Sequence, residues 1–155
     1  MPDIEETKEW VGLLHAGQVD KTGAPYITHV MGVYERLCRL FPEAGIDVRL
    51  AALLHDTVED CDISPDDLRA RGYSENTIAI VEAVTIDPSD GFTYQQRMEN
   101  LAATGPLAAV QVKVCDLMDN SDPVRLAKLP PERAQSLAKR YQRALEVMRK
   151  RLSRG

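Results

Sequence analysis

Residues 50–60, Leu-Ala-Ala-Leu-Leu-His-Asp-Thr-Val-Glu-Asp, constrain this chain more than any other segment. A run of apolar residues leads directly into an imidazole and three carboxylates. A helix whose first half belongs to a core cannot carry carboxylates toward that core uncompensated, because an isolated buried carboxylate is very expensive. A bound cation is the usual compensation. On a continuous helix, residues three and four apart share a face. His55 with Glu59, Asp56 with Glu59, and Asp56 with Asp60 would then lie together. Imidazole plus carboxylate suits Mn, Fe, Zn or Co.

Such an ion needs two more donors. The chain has three histidines. His29 follows the turn Gly23-Ala24-Pro25-Tyr26, early in a predicted helix. His15 lies on the first helix near Ile4, Trp10, Val11 and Leu14, and reads as a structural residue. Asp116 sits between Cys115 and Leu117 inside an apolar run, with Asn120 one turn later, so it too wants a cation. Asp119 and Asp122 read as capping or solvated residues at the end of that segment.

The periodicity around these residues is mostly helical. A first helix is predicted over about 3–18. A second starts near Thr28, read as its N-cap, carries Val30, Val33, Leu37 and Leu40, and ends at Phe41-Pro42. Asp47 is read as the cap of a third helix that runs into His55-Asp56. Ser64-Pro65 and Ser74 open two more. Thr93 caps another after a loop at 87–91, and Pro130-Pro131 begins a long last helix through Leu137, Tyr141, Leu145 and Met148. Residues 107–118 are ambiguous: Val110, Val112 and Val114 alternate like a strand, whereas Leu107, Val110, Val114 and Leu117 fit a helix. Aromatic residues make up only 5% of the chain, which favours an aliphatic helical core over a β-sandwich. The expectation is an all-α bundle of about eight helices, one domain over residues 1–155.

Net charge is −5, which argues against broad nucleic-acid binding. From Arg125 to the end, however, ten Lys/Arg face two Asp/Glu. That basic final helix reads mainly as a solvated face, with Lys139, Arg140, Tyr141 and Arg143 as candidates to meet a phosphate. Three scattered cysteines, none in a CxxC, argue against a disulfide framework or zinc ribbon. Residues 1–9 are acidic rather than basic and then apolar, and no run approaches membrane-spanning length. A soluble cytoplasmic protein with no membrane partner is expected; the oligomeric state is left open.

With those residues in hand, the chain resembles the HD hydrolase domain of RelA/SpoT-type proteins, and looks closest to the small stand-alone alarmone hydrolases of the metazoan SpoT-homologue type. The matching pieces are Gly17-Gln18, Lys21-Thr22-Gly23-Ala24-Pro25-Tyr26-Ile27-Thr28-His29, Ala51 through Asp60, Val84-Thr85, and Lys113 through Asn120. The resemblance implies an all-α fold, and helix for 107–118. It implies one Mn²⁺ or similar ion (Fe, Co or Zn possible) held by His29, His55, Asp56 and Asp116. It implies that Glu59 and Asp60 activate the attacking water, that Asn120 meets the substrate's ribose and phosphate, and that Lys21 lies against the base. The reaction implied is removal of the 3′-pyrophosphate from guanosine tetra- or pentaphosphate (ppGpp), the alarmone of the stringent response. No nucleotide-synthetase domain is present, so the expected activity is hydrolytic only. Lys21, Arg97, Arg140 and Tyr141 are added as candidates for holding phosphates.

Two positions depart from the family pattern. Asp20 stands where the family commonly has the arginine that packs on guanine, and Leu117 replaces an arginine after the metal aspartate. Two other readings therefore stand beside the first: a nucleotide or dinucleotide phosphatase with the same metal site, such as an NADPH 2′-phosphatase, or a nucleotide-binding domain of this type that does not hydrolyse. Asp20→Arg is the substitution that would probe an alarmone-derived pocket.

Overall fold

The computed structural model describes residues 1–155, and it is all helical apart from one isolated bridge between Val19 and Pro25. The elements are α1 (Ile4–Leu14), α2 (Tyr26–Leu40), α3 (Ile46–Leu54), α4 (Thr57–Asp60), α5 (Pro65–Ala70), α6 (Glu75–Val84), α7 (Tyr94–Thr104), α8 (Leu107–Asn120), α9 (Pro123–Leu126) and α10 (Pro131–Arg154). Two of them, α4 and α9, are single turns of four residues, so the expectation of about eight helices holds for the longer ones. No helix is long and apolar enough to cross a membrane.

Helix ends follow local chemistry. Asp3, Ser64 and Thr93 each form a reciprocal capping box with the residue three positions on, which satisfies orphan N–H groups of the first turn. Two predicted starts move. Helix α2 begins at Tyr26 with Pro25 as its N-cap, not at Thr28, because proline already holds the backbone extended there. Helix α3 starts after Gly45, and Asp47 sits inside its first turn, where it accepts from Ser74 Oγ at 2.9 Å and Asn76 Nδ2 at 3.1 Å. Asp47 thus ties α3 to the start of α6 rather than capping its own helix.

Residues 107–118 form helix α8, as the resemblance implied. Nine of its fourteen residues are buried, including Lys113, Asp116 and Asp119. It packs against α2, α3, α6, α7 and α10. A helix covered on several sides needs no single apolar stripe, which is why its valines could alternate. The stripes of α2 (His29, Val30, Val33, Leu37) and α10 (Leu137, Tyr141, Ala144, Leu145, Met148) close over it. One cluster of 30 buried apolar residues results.

Gly32 shows how tightly α2 meets α8. A Cβ there would lie 2.3 Å from Asp119 Oδ1. Gly→Ala inside a helix ordinarily stabilises by about 0.5–1 kcal/mol. Here the overlap reverses the sign, and Gly32→Ala is expected to cost about 1–3 kcal/mol, the usual penalty of overpacking. Urea unfolding of the variant beside the parent measures this; a variant at or above parental stability would show that Asp119 moves aside freely.

Candidate metal centre

His55 and Asp56 do not continue α3. The helix ends at Leu54, Asp56 takes φ −104° and ψ 0°, and α4 restarts at Thr57. The break is satisfied locally: His55 Nδ1 donates to Ala52 O at 2.7 Å and Thr57 Oγ1 donates to Leu54 O at 2.8 Å. Two carbonyls of the terminal turn are thereby paired. The continuous helical face expected for His55 through Asp60 is therefore replaced by a kink. It turns both His55 and Asp56 toward α2 and α8.

Four donor atoms meet there. His29 Nε2 lies 2.9 Å from Asp116 Oδ1 and 3.8 Å from Asp56 Oδ2. His55 Nε2 lies 2.9 Å from Asp56 Oδ2 and 3.6 Å from Asp116 Oδ1. Spacings of that size suit donors that each sit about 2.0–2.2 Å from one ion. Both imidazole side chains are only 2% exposed. His55 Nε2 is buried without a hydrogen-bond partner despite its nearness to Asp56, because the contact misses the bonding direction. With Nδ1–H committed to Ala52, that orphaned nitrogen is in the form that binds a metal. The four residues fit a divalent cation.

Charge accounting agrees. Burial disfavours the imidazolium of His29, but the Asp116 and Asp119 carboxylates outweigh it and raise its pKa. Burial also opposes charge on His55, and Asp56 and Asp116 raise it well above the ordinary value. Asp116 is held well below the usual carboxylate range, burial notwithstanding, by Lys113 and the two histidines. Two buried carboxylates demand positive charge, from protons on the histidines or from a cation that displaces them.

Surrounding residues fix the donors. Tyr26 Oη donates to Asp56 Oδ2 at 2.6 Å, Lys113 Nζ to Asp116 Oδ2 at 3.0 Å, and Asn120 Nδ2 to Asp116 Oδ1 at 3.1 Å. Asp119 is the largest correction to the sequence reading. It is buried, and its Oδ2 accepts from His29 Nδ1 at 2.6 Å. Arg36 and Arg125 hold the same carboxylate at 2.5 and 2.9 Å. It holds His29 in place rather than capping a helix. Asp122 does cap, accepting from Val124 N, and pairs with Arg36. His15 stays apart as a structural residue, 2.9 Å from Gln18 Oε1.

Glu59 and Asp60 stand beside Asp56, with one carboxylate oxygen of each residue within 4.8 Å of the others. Glu59 Oε1 accepts the Ile86 N–H at 2.8 Å, and its other oxygen makes no hydrogen bond within the chain. Burial raises both acids, with the Asp56 charge adding to it.

A cavity of about 370 Å³ opens over these groups. Lys21, Asn120, Arg140 and Tyr141 all line it, together with Tyr94, Arg125 and the acids. Lys21 Nζ donates to Tyr141 Oη at 3.1 Å, and the Arg140 guanidinium lies 5.1 Å from the Tyr94 ring centre. Arg97 is not brought to this cavity. It pairs with Asp90 at 2.9 Å and lines a neighbouring cleft that meets the cavity at Ile86 and Lys113. Lys139 and Arg143 are exposed and line neither.

Asp20 also differs from expectation. Its Oδ1 accepts from Thr22 N at 2.8 Å, Thr22 Oγ1 at 2.6 Å and Ala24 N at 3.1 Å, while Oδ2 lies 3.1 Å from Arg125. It builds the turn that carries Lys21. Asp20→Arg would break that turn before it tested base recognition. Sequence reasoning missed the supporting roles of Tyr26, Lys113, Asp119, Arg36 and Arg125; Tyr26, three residues before His29, and Lys113 and Asp119, each three residues from Asp116, carried a positional signal.

Comparison with known proteins places this geometry. Residues 8–153 match the family model described as "HD domain". A guanosine-3′,5′-bis(diphosphate) 3′-pyrophosphohydrolase of Aquifex aeolicus is 32% identical over 124 residues, 76% of this chain and 17% of that protein. The chain spans under a fifth of the first such relatives it matches. The zebrafish (Danio rerio) guanosine-3′,5′-bis(diphosphate) 3′-pyrophosphohydrolase MESH1 is 31% identical over 149 residues, 93% of this chain and 81% of that one. A solved structure described as "A metazoan ortholog of SpoT hydrolyzes ppGpp and plays a role in starvation responses" superimposes with a TM-score of 0.81 at 25% identity, covering 96% of this chain and 88% of that chain.

Proposed function

This chain belongs to the HD domain family, and from that premise we propose that it is a metal-dependent phosphohydrolase that removes the 3′-pyrophosphate from guanosine tetra- or pentaphosphate. The observation that carries the reading is the approach of Asp56 Oδ2 and Asp116 Oδ1 to the Nε2 atoms of His29 and His55, the latter orphaned, with Glu59 and Asp60 beside Asp56. The names of the relatives point to the same substrate. Mn²⁺ is the proposed ion, and the imidazole and carboxylate donors suit it as they suit Fe, Co or Zn.

Those four residues would hold the ion, which when bound supplies Lewis acidity to a water and to a phosphoryl oxygen. The chain's own residues do the rest. Ile86 N–H fixes one oxygen of Glu59, leaving the other to accept the proton of the attacking water. Asp60 flanks it as the second acceptor. Lys21 and Arg140, both at the cavity wall, are placed to take phosphate charge, and Tyr141 sets the position of Lys21. Asn120 stands between Asp116 and the cavity, where it can meet a ribose or phosphate oxygen. Catalysis of this kind is mostly positioning and charge stabilisation.

A second reading, a nucleotide phosphatase on the same centre, is favoured by Asp20, which puts a carboxylate committed to the turn and to Arg125 where the family commonly has the arginine that packs on guanine. Product analysis separates the two. The Mn²⁺-loaded protein is offered guanosine tetraphosphate, its adenosine counterpart and NADPH side by side. Pyrophosphate release from the guanosine compound is the expected result. Orthophosphate from NADPH alone would establish the second reading, and nucleotide binding without turnover of any would make this a non-hydrolysing member.

A further inference from the structure

We propose that Arg125 is a positioning residue that ties the Lys21 turn to the metal centre. This rests on the reading of His29 as a ligand and of the cavity as the substrate site. Arg125 projects from the single turn α9, and its two terminal nitrogens grip different acids. Nη2 lies 3.1 Å from Asp20 Oδ2, and Nη1 donates to Asp119 Oδ2 at 2.9 Å. On one side, Asp20 organises residues 20–24 through three hydrogen bonds to its other oxygen. On the other, the same Asp119 oxygen lies 2.6 Å from His29 Nδ1. One guanidinium therefore joins the acid that shapes the turn to the acid that orients a ligand.

The chemistry needs arginine. A planar fork can reach two carboxylates at once, whereas a lysine ammonium is a single point. Asp20 is almost enclosed, its side chain 3% exposed, and Arg125 is its one ion-pair partner. Without that partner Asp20 Oδ2 loses its ion pair, while Oδ1 keeps its three hydrogen bonds in the turn. Asp119 keeps Arg36 on its other oxygen, so loss of Arg125 cuts the link without stripping the ligand's support altogether. Arg125 also lines the cavity beside Lys21, so the link runs along the wall that a phosphate would touch. Metal and phosphate binding should then be coupled through it, and Asp20 and Arg125 should act as one unit.

The test uses the full chain, with Mn²⁺ and inorganic pyrophosphate as calorimetric probes and thermal melts alongside. Arg125→Met is expected to weaken Mn²⁺ binding about tenfold, the low end for a residue behind a ligand, and to weaken pyrophosphate binding as well. Asp20→Asn keeps the acceptor for the turn and removes the charge facing Arg125. It is expected to weaken pyrophosphate binding, with little further loss in the double variant, since coupled residues do not add. Arg125→Lys should restore at most one of the two affinities. If Arg125→Met changes only the melting temperature, or if the Asp20→Asn and Arg125→Met losses add fully, the link does not exist. Should Arg125→Met fail to fold, Asp20→Asn and Arg125→Lys carry the same comparison. His29→Ala is the control: undiminished Mn²⁺ binding there would overturn the metal centre itself and this proposal with it.

Discussion

Asp56→Ala is expected to give a folded protein that neither retains a divalent metal nor turns over its nucleotide. Asp56 Oδ2 approaches both imidazoles and takes the Tyr26 hydroxyl, so its loss opens one side of the donor set. Loss of a partner behind a ligand already costs about 10–100-fold in affinity or activity, and loss of the ligand itself should exceed ~10²-fold in both. The fold should survive, because Asp56 and Asp116 repel one another across a buried site. Removing one acid relieves that repulsion. Metal analysis, turnover and melting with and without Mn²⁺ report on this together. Added Mn²⁺ should raise the melting temperature of the parent, as any ligand of the native state does, through a stabilisation of about 2.7 kcal/mol at one hundred times its Kd. It should leave Asp56→Ala unmoved. Parental activity in this variant would overturn the assignment of the centre.

Glu59→Gln is expected to separate metal binding from catalysis. The amide oxygen can still accept the Ile86 N–H, so the local structure is kept. A neutral amide cannot take a proton from water, and general-base catalysis is worth about 10²–10⁴-fold. The variant should bind Mn²⁺ as the parent does and lose kcat by that factor with KM little changed. If kcat is retained, Asp60 or another group accepts the proton, and if metal is lost along with kcat, Glu59 belongs to the donor set.

Both expectations were legible in the segment 50–60, because an apolar run that ends in acids states its own problem. The same holds for His29 and Asp116, each a chemistry-bearing residue within an otherwise buried pattern. The residues that hold them were less legible. Asp119 looked like a helix-end residue by position, yet it is buried and grips His29. Its partners, Arg36 and Arg125, come from α2 and α9. Arg97 looked like a phosphate ligand by charge, yet Asp90 holds it in the neighbouring cleft.

The sequence by itself determined the helical class and most helix positions, and singled out the four candidate donors with their two neighbouring acids. Those follow from periodicity, capping and the cost of burying charge, all properties of short stretches of chain. Periodicity left three further matters to the tertiary structure. Burial on several sides accommodates the alternating valines of 107–120 in the helix that the resemblance implied. Hydrogen bonds to Ala52 and Leu54 carbonyls accompany the break at His55-Asp56 that aims both residues inward. The meeting of Asp20, Arg125, Asp119 and His29 depends on three elements and a turn arriving at one place. A side chain's charge is written in the sequence, but which opposite charge compensates it depends on packing between segments far apart in the chain.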